Sequence, residues 1–393
     1  MSELPAAWNF VPLREIITES RISPESDDPS KRISVRLHCE GVEKRSERAT
    51  DQAGATRYYK RLAGQFIYGK QNLHKGAVGI VPEELHGFCS SQDIPAFDIA
   101  DFVDGNWLLH LFRQRSFYES LENIATGTGS KRIQPSELGE KEIPVPPLPE
   151  QKKIAEILSG IDRTIRAATS EKKHREKMRR SAVRQLTRGM SHQGTKTDSG
   201  TEFGMIPSHW DCQLIPDCCI IENAKRKPIK KEERAIMRGV YPYHGATRIQ
   251  GYISEYSYEG EYVLIGEDGD HFSKYDEWEM AQYATGRFNV SNHAHAIRGT
   301  QICSEKWLYY SLLHRDITFH LTRQGTTRFK LSKASLQCIP ILLPPPKEQQ
   351  RITNALDSIS DSISVLENRI VKLQALRSAL SSDLLSGRKR VSV

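Results

Sequence analysis

No stretch of about 18 consecutive apolar residues occurs, so no segment reads as a membrane-spanning helix. The opening residues, Met1-Ser2-Glu3-Leu4-Pro5, lack the basic and apolar regions of a secretory signal. The seven cysteines show no CxxC spacing, and Cys218 and Cys219 are adjacent, which disfavours a disulfide framework. Free thiols in a reducing cytoplasm are the expectation. Catalytic signatures are missing too. There is no G-x-G-x-x-G and no [DNS]-P-P-[YF] amino-methyltransferase motif. Gly189–Thr197 imitates a phosphate-binding loop, but its lysine stands one place late and no strand precedes it, so it reads as linker. His293 and His295 share one face of a strand, yet no Cys, Asp or Glu at ligand spacing completes a metal site around them.

What is present is a repeat. Pro147-Leu148-Pro149-Glu150-Gln151 and Pro345-Pro346-Lys347-Glu348-Gln349 stand 198 positions apart. The same offset pairs Gly127-Thr128 with Gly325-Thr326, and Leu138 with Leu336. It then pairs Ile154, Leu158, Ile161 and Ile165 with Ile352, Leu356, Ile359 and Ile363, and holds to Gly189 with Gly387. The starts echo as well: Pro5 and Trp8 resemble Pro207 and Trp210 at a slightly different offset. Each unit therefore reads as a domain, a G-T turn, a proline brake and a helix, with Glu-Gln as first-turn residues.

The helices carry heptads. The second has seams Ile352, Ile359, Leu366, Leu373, Leu380 and Leu356, Ile363, Ile370, Arg377, Leu384, broken only at Arg377. The first is weaker, with Lys172, Arg175 and Arg179 at its centre. Two such stripes in one chain predict an antiparallel pair. The expected boundaries are a first domain over 1–145, a helix over 146–190, a polar linker over 191–204, a second domain over 205–343 and a helix over 344–388. Inside the domains, short apolar stretches broken by Gly, Asp, Asn and Ser predict strands and turns. Trp107–Tyr118 and Trp307–Leu313 read as helices.

The net charge of +7 permits a polyanionic partner without demanding one. The domains share a frame and differ inside, which suits readers of two different targets. In the first domain the candidate DNA contacts are Lys31, Arg32, Arg36, Arg57, Tyr58, Lys60, Arg61, Lys70, Gln71, Asn72, Ser91 and Gln92. The second offers Tyr243, His244, Thr247, Arg248, Arg287, Asn289, Ser291, Asn292 and His293. Arg pairs with guanine and Asn or Gln with adenine, while Lys and Ser mostly hold phosphates. Lys131 and Arg132, and Thr327, Arg328 and Lys330, flank the repeated G-T turns, which either approach a phosphate or form plain structural turns. Glu267 and Asp268, followed by Asp270, form an acidic turn: a metal site, a simple turn, or an acceptor for cytosine N4.

The whole pattern resembles the specificity subunits of type I restriction–modification systems. The resemblance is carried by Pro146–Ile165 and Pro344–Ile363. It is also carried by Tyr241–Thr247, Leu264–Gly269 and Ala284–His295, and more weakly by Val78–Leu85. It implies an α+β chain with two mixed α/β target-recognition domains. Two long antiparallel helices in a coiled coil would join them, with an internal pseudo-two-fold repeat. It further implies one half of a bipartite DNA site per domain, a spacer fixed by the helices, and no catalysis in this chain. Two methyltransferase partners would bind S-adenosylmethionine and flip an adenine. Motor-nuclease partners would use ATP and Mg. A methylation-only system without a separate motor subunit is the alternative.

Overall fold

The computed structural model describes residues 5–26, 28–47, 56–127, 131–324 and 328–392, and not the side chains of residues 323, 324 and 328. The chain divides into two units, one of residues 1–169 with 369–393 and one of residues 170–368. Each unit contains one domain, half of one long helix and half of the other.

The two long helices are Leu148–Thr187 and Pro346–Leu385, 40 residues each, or about 60 Å apiece. The proline brakes work as the sequence predicts: proline sits in the first turn, where its missing N–H costs no hydrogen bond. In the first unit the start of the first helix packs beside the end of the second. Ile154, Leu158, Leu384 and Leu385 join one core with Trp8, Phe66, Trp107 and Leu138. In the second unit the end of the first helix lies beside the start of the second. There Val183, Ile352 and Leu356 join Trp210, Val263, Trp307 and Leu336. The pairing is antiparallel in both. The charged interruptions of the seam are paired as well: Arg377 Nε donates to Asp162 Oδ1 at 3.1 Å in the first unit, and Lys172 Nζ meets Glu367 Oε1 at 2.8 Å in the second.

Each domain opens and closes on one antiparallel ladder. Asn9–Pro12 pairs with Glu142–Val145, and Asp211–Leu214 with Pro340–Leu343. The ladder places the domain's first tryptophan beside the helix that follows its last strand. Trp8 Nε1 donates to Glu150 Oε2 at 3.0 Å, and Trp210 Nε1 to Glu348 Oε2 at 3.3 Å. The next residue clamps a short domain helix. Gln151 Oε1 accepts from the N-cap N–H of Asp104, while its Nε2 donates to Phe102 and Pro146 carbonyls. Gln349 does the same with Ser304, Ile302 and Pro344. Glu150, Gln151 and Gln349 are 2%, 0% and 2% exposed. The Glu-Gln motif is thus a buried dock for the domain, more than the first-turn polarity the sequence predicts.

Between these shared edges the domains differ. The first is built on a four-stranded antiparallel sheet in the order Ile17–Ser20, Ala96–Ile99, Phe66–Tyr68, Val78–Ile80. The second has six strands: Ile220–Ile221, Ala294–Arg298, Tyr258–Gly266, Ala281–Val290, Arg238–His244, Ile249–Ile253. One neighbour pair in it is parallel, Tyr243 with Asn289 and His244 with Val290.

Two local expectations are corrected. The helix predicted over Trp107–Tyr118 is two, Gly105–Phe112 and Arg115–Ser120, because Gln114 turns extended and sends its amide to Ser381 O at 2.8 Å. The predicted linker is partly ordered: Lys196–Asp198 pairs with Met205–Pro207. As the repeat suggests, a glycine closes each long helix: Gly189 follows the first at φ 61°, and a Cβ there would stand 2.6 Å from Pro207. Gly387 ends the second helix at φ 74°, 2.8 Å from Pro5 by the same measure. Each glycine admits a domain start that a side chain would push away.

Candidate nucleic-acid interface

In the second unit, the acidic turn is the centre of a built cluster. The turn is closed against its neighbours by backbone bonds: Glu267 N to His293 O at 2.8 Å and Leu331 N to Glu267 O at 2.8 Å. That brings Glu267, Asp268, Asn292, His293 and Lys330 together. Glu267 receives Arg226 at 2.9 Å and Lys330 at 3.7 Å, and Asp268 Oδ2 lies 3.2 Å from His293 Nδ1. Arg226 also reaches the carbonyls of Asn292 and Ala294, each at 3.2 Å. Glu267 is therefore satisfied by cations of its own domain. Asn292 and His293 remain exposed at its rim.

Arg226 is not among the residues the sequence singles out. Its signal was available: Lys225, Arg226, Lys227, Lys230 and Lys231 form the densest run of cations in the domain. All but Arg226 are exposed. A second exposed cluster surrounds Arg287, whose guanidinium lies 4.8 Å over the Tyr256 ring and pairs with Glu259 at 3.0 Å. Tyr241 meets Tyr256 at 5.0 Å. Thr247 and Arg248 are exposed at the turn of the outer hairpin.

Four predicted residues of this domain are taken up by its scaffold. Tyr243 is 1% exposed, and its hydroxyl bonds Lys227 O and Ile229 N. His244 is buried against Gln282 Oε1 at 3.0 Å, and burial lowers its pKa, keeping the ring neutral. Asn289 is 0% exposed and bonds Ser257 and Glu255 O. Ser291 is buried and caps the His293 turn. Thr327 and the side chain of Arg328 lie outside the described residues.

In the first unit the predicted residues separate into two groups. Lys31 and Lys60 line a surface hollow of about 440 Å³ with Glu25, Asp28 and His86, and Lys60 pairs with Glu25 at 2.9 Å. Elsewhere Arg57, Lys70, Gln92 and Arg132 are drawn together. Gln92 N donates to Arg57 O, Lys70 N to Asp93 O and Ile133 N to Lys70 O, while Arg132 faces Asp93 at 3.6 Å. Gln71, Asn72 and Ser91 sit half-buried near this group. Exposed Lys131 pairs with Glu122 at 2.8 Å, and Arg36 with Glu40 and Glu43. Arg32 and Arg61 are scaffold. Arg32 is 2% exposed with its guanidinium 4.0 Å above the Tyr58 ring. Arg61 bonds Ser90, Ser20 O and Ile94 O, and burial brings its pKa down to about 10, still charged at neutral pH.

Among the described residues, the group spaced for a metal is Cys218, Cys219 and Cys303, with their sulfurs within 4.8 Å of one another. All three are free and buried in the apolar core around Trp307. Buried thiols there pack as small hydrophobes. No described helix is long and apolar enough to cross a membrane.

The model of the type I restriction modification DNA specificity domain matches residues 49–175 and again 207–375. A type I restriction enzyme specificity subunit of Methanocaldococcus jannaschii, MjaIX, is 22% identical over 81% of this chain and 76% of its own length. A chain of Haemophilus influenzae assigned to the same class is 39% identical over 36% of this chain, a match that spans only 34% of that relative. The S subunit of a type I restriction–modification system from M. genitalium shares the fold, with TM-score 0.64 and 18% identity over 98% of this chain and 97% of its own. With both copies of the domain model on the two halves of one internal repeat, the chain belongs to the type I restriction–modification DNA specificity family.

Proposed function

We propose that each domain reads one half of a bipartite DNA site, that the paired helices set the spacer, and that the chain docks two methyltransferase subunits. The observation that carries this reading is the repeated Glu-Gln dock. Trp8 and Trp210, and the short helices at Asp104 and Ser304, are held by the same side chains in both units. The sheets mounted on those docks differ in strand number and order. A constant mount with a variable head suits two identical partners and two unlike half-sites. The base-facing candidates are Arg248, Arg287, Asn292 and His293 in the second domain, and Arg57, Gln92 and Arg132 in the first.

In this reading S-adenosylmethionine belongs to the methyltransferase partners, and ATP with Mg to motor-nuclease partners. The test is co-purification with a methyltransferase followed by mapping of methylated adenines. Two constant half-sites at one fixed separation are expected. Exchange of residues 205–343 for another such domain is expected to change one half-site only. Methylated sites with no bipartite pattern overturn the reading.

A further inference from the structure

The two helices are copies, but their charge is not. The first has eleven Lys and Arg against five Asp and Glu; the second has five against five. In the second unit the excess lies in a row. Lys173, Lys177, Arg180, Arg184 and Arg188 follow one another at spacings of four, three, four and four residues. At 3.6 residues per turn these five fall within an arc of about 80°, over a length of about 22 Å. Their counterparts 198 positions on are Val371, Ala375, Ser378, Ser382 and Ser386, so the row is peculiar to the first copy. Lys173, Lys177 and Arg188 are exposed and Arg180 is half-exposed. Among the described residues, none of these four pairs with a carboxylate, while Arg184 pairs with Asp276. Lys177, Arg180, Arg184 and Arg188 line an open groove of about 680 Å³ whose other wall carries Asp276 and Glu277.

Resting on the reading above, we propose that this row binds the phosphate backbone of the DNA between the two half-sites. A spacer of no fixed sequence offers a protein only phosphates and sugars, and lysine and arginine are the side chains for those. A protein partner would be met differently. Interface cores are depleted in lysine and built around aromatic residues, though arginine is common in them; the row offers two lysines and three arginines and no aromatic side chain. Phosphates are also plentiful at this scale, since about 22 Å of duplex carries roughly 13 of them.

The experiment uses the full chain co-purified with its methyltransferase, on a duplex carrying the mapped site. The variant is Lys173→Gln, Lys177→Gln, Arg180→Gln and Arg188→Gln together. These side chains are at the surface, and glutamine has similar helix propensity. The plot of log affinity against log salt is expected to become shallower by about one unit per residue, close to four in all. Neutral methylphosphonate linkages across the spacer are expected to flatten the wild-type slope and leave that of the variant nearly unchanged. The methylated sequence and the yield of the complex stay as in the wild type. An unchanged slope overturns the proposal and leaves the recognition reading standing. Loss of the methyltransferase with the slope intact assigns the row to a protein partner and also overturns it. A changed methylated sequence does so as well. A wild-type complex that binds no DNA overturns both.

Discussion

Gln349 spends both ends of its side-chain amide on the backbone of its own domain. Its oxygen accepts from Ser304 N at 3.2 Å, and its amide donates to the carbonyls of Ile302 and Pro344 at 2.7 and 2.9 Å. At 2% exposure no water replaces those bonds. A buried donor or acceptor left unmade costs about 1–3 kcal/mol. Gln349→Ala is therefore expected to lower stability by about 2–4 kcal/mol, and Gln151→Ala to do the same. Each would be read from the urea midpoint of the full chain, with Gln350→Ala, an exposed neighbour, as the unaffected control. A midpoint for Gln349→Ala equal to that control would show the clamp to be incidental. These roles were not legible in the sequence. The repeat marked the pair as special, but their partners lie some 45 and 142 residues away in the chain. Arg, Tyr and Asn mislead in the opposite direction. Arg61, Tyr243 and Asn289 are the right types to read a base, and they are equally the right types to satisfy buried carbonyls.

At the scale of elements, the long helices were legible to within two or three residues at each end, because proline, heptad and terminal glycine all act locally. The breaks in the seam were legible as breaks, but not as pairs. Asp162 collects Arg377 at 3.1 Å, Arg113 at 3.8 Å and His110 at 3.9 Å. His110 is 2% exposed, and burial lowers its pKa to about 4 despite the facing carboxylate, so the ring stays neutral at pH 7. Asp162 is then the lone anion among two guanidinium groups. Removing it strands both, whereas removing Arg377 leaves Asp162 with Arg113. Asp162→Leu is accordingly expected to cost about 1.5–3 kcal/mol, the range for losing charge-assisted hydrogen bonds at half-buried groups that water partly screens. Arg377→Leu, which completes the apolar seam, should cost less, and the double substitution less than Asp162→Leu alone. Thermal or urea unfolding of the three variants closes the cycle. Strictly additive costs would mean that the pair is not coupled. The sheets inside the domains were the least legible part, since short strands paired across long sequence separations leave only weak local patterns.

The molecule as a whole is a chain in which every unit borrows half a helix from each copy of the repeat. That arrangement makes length a shared property. Asp162 pairs with Arg377 in the first unit and Lys172 with Glu367 in the second. Ten steps forward on one helix match ten steps back on the other, so the two pairs share one antiparallel register in sequence number. Four residues inserted after Ser170 alone would add a turn to one helix and none to its neighbour, and one of the two pairs would lose its partner. Four residues inserted after Ser170 and four before Arg369 lengthen both helices and preserve both pairs. One turn adds about 6 Å of helix, against about 3.4 Å per base step of DNA. If the helices set the spacer, the matched insertion should lengthen it by about two base pairs while each half-site keeps its sequence. The single insertion should give a less stable protein with poorly defined spacing. Mapping methylated adenines for both variants distinguishes these outcomes. A matched variant that is folded, active and still bound to the original spacing would mean that the helices hold the domains without measuring the DNA.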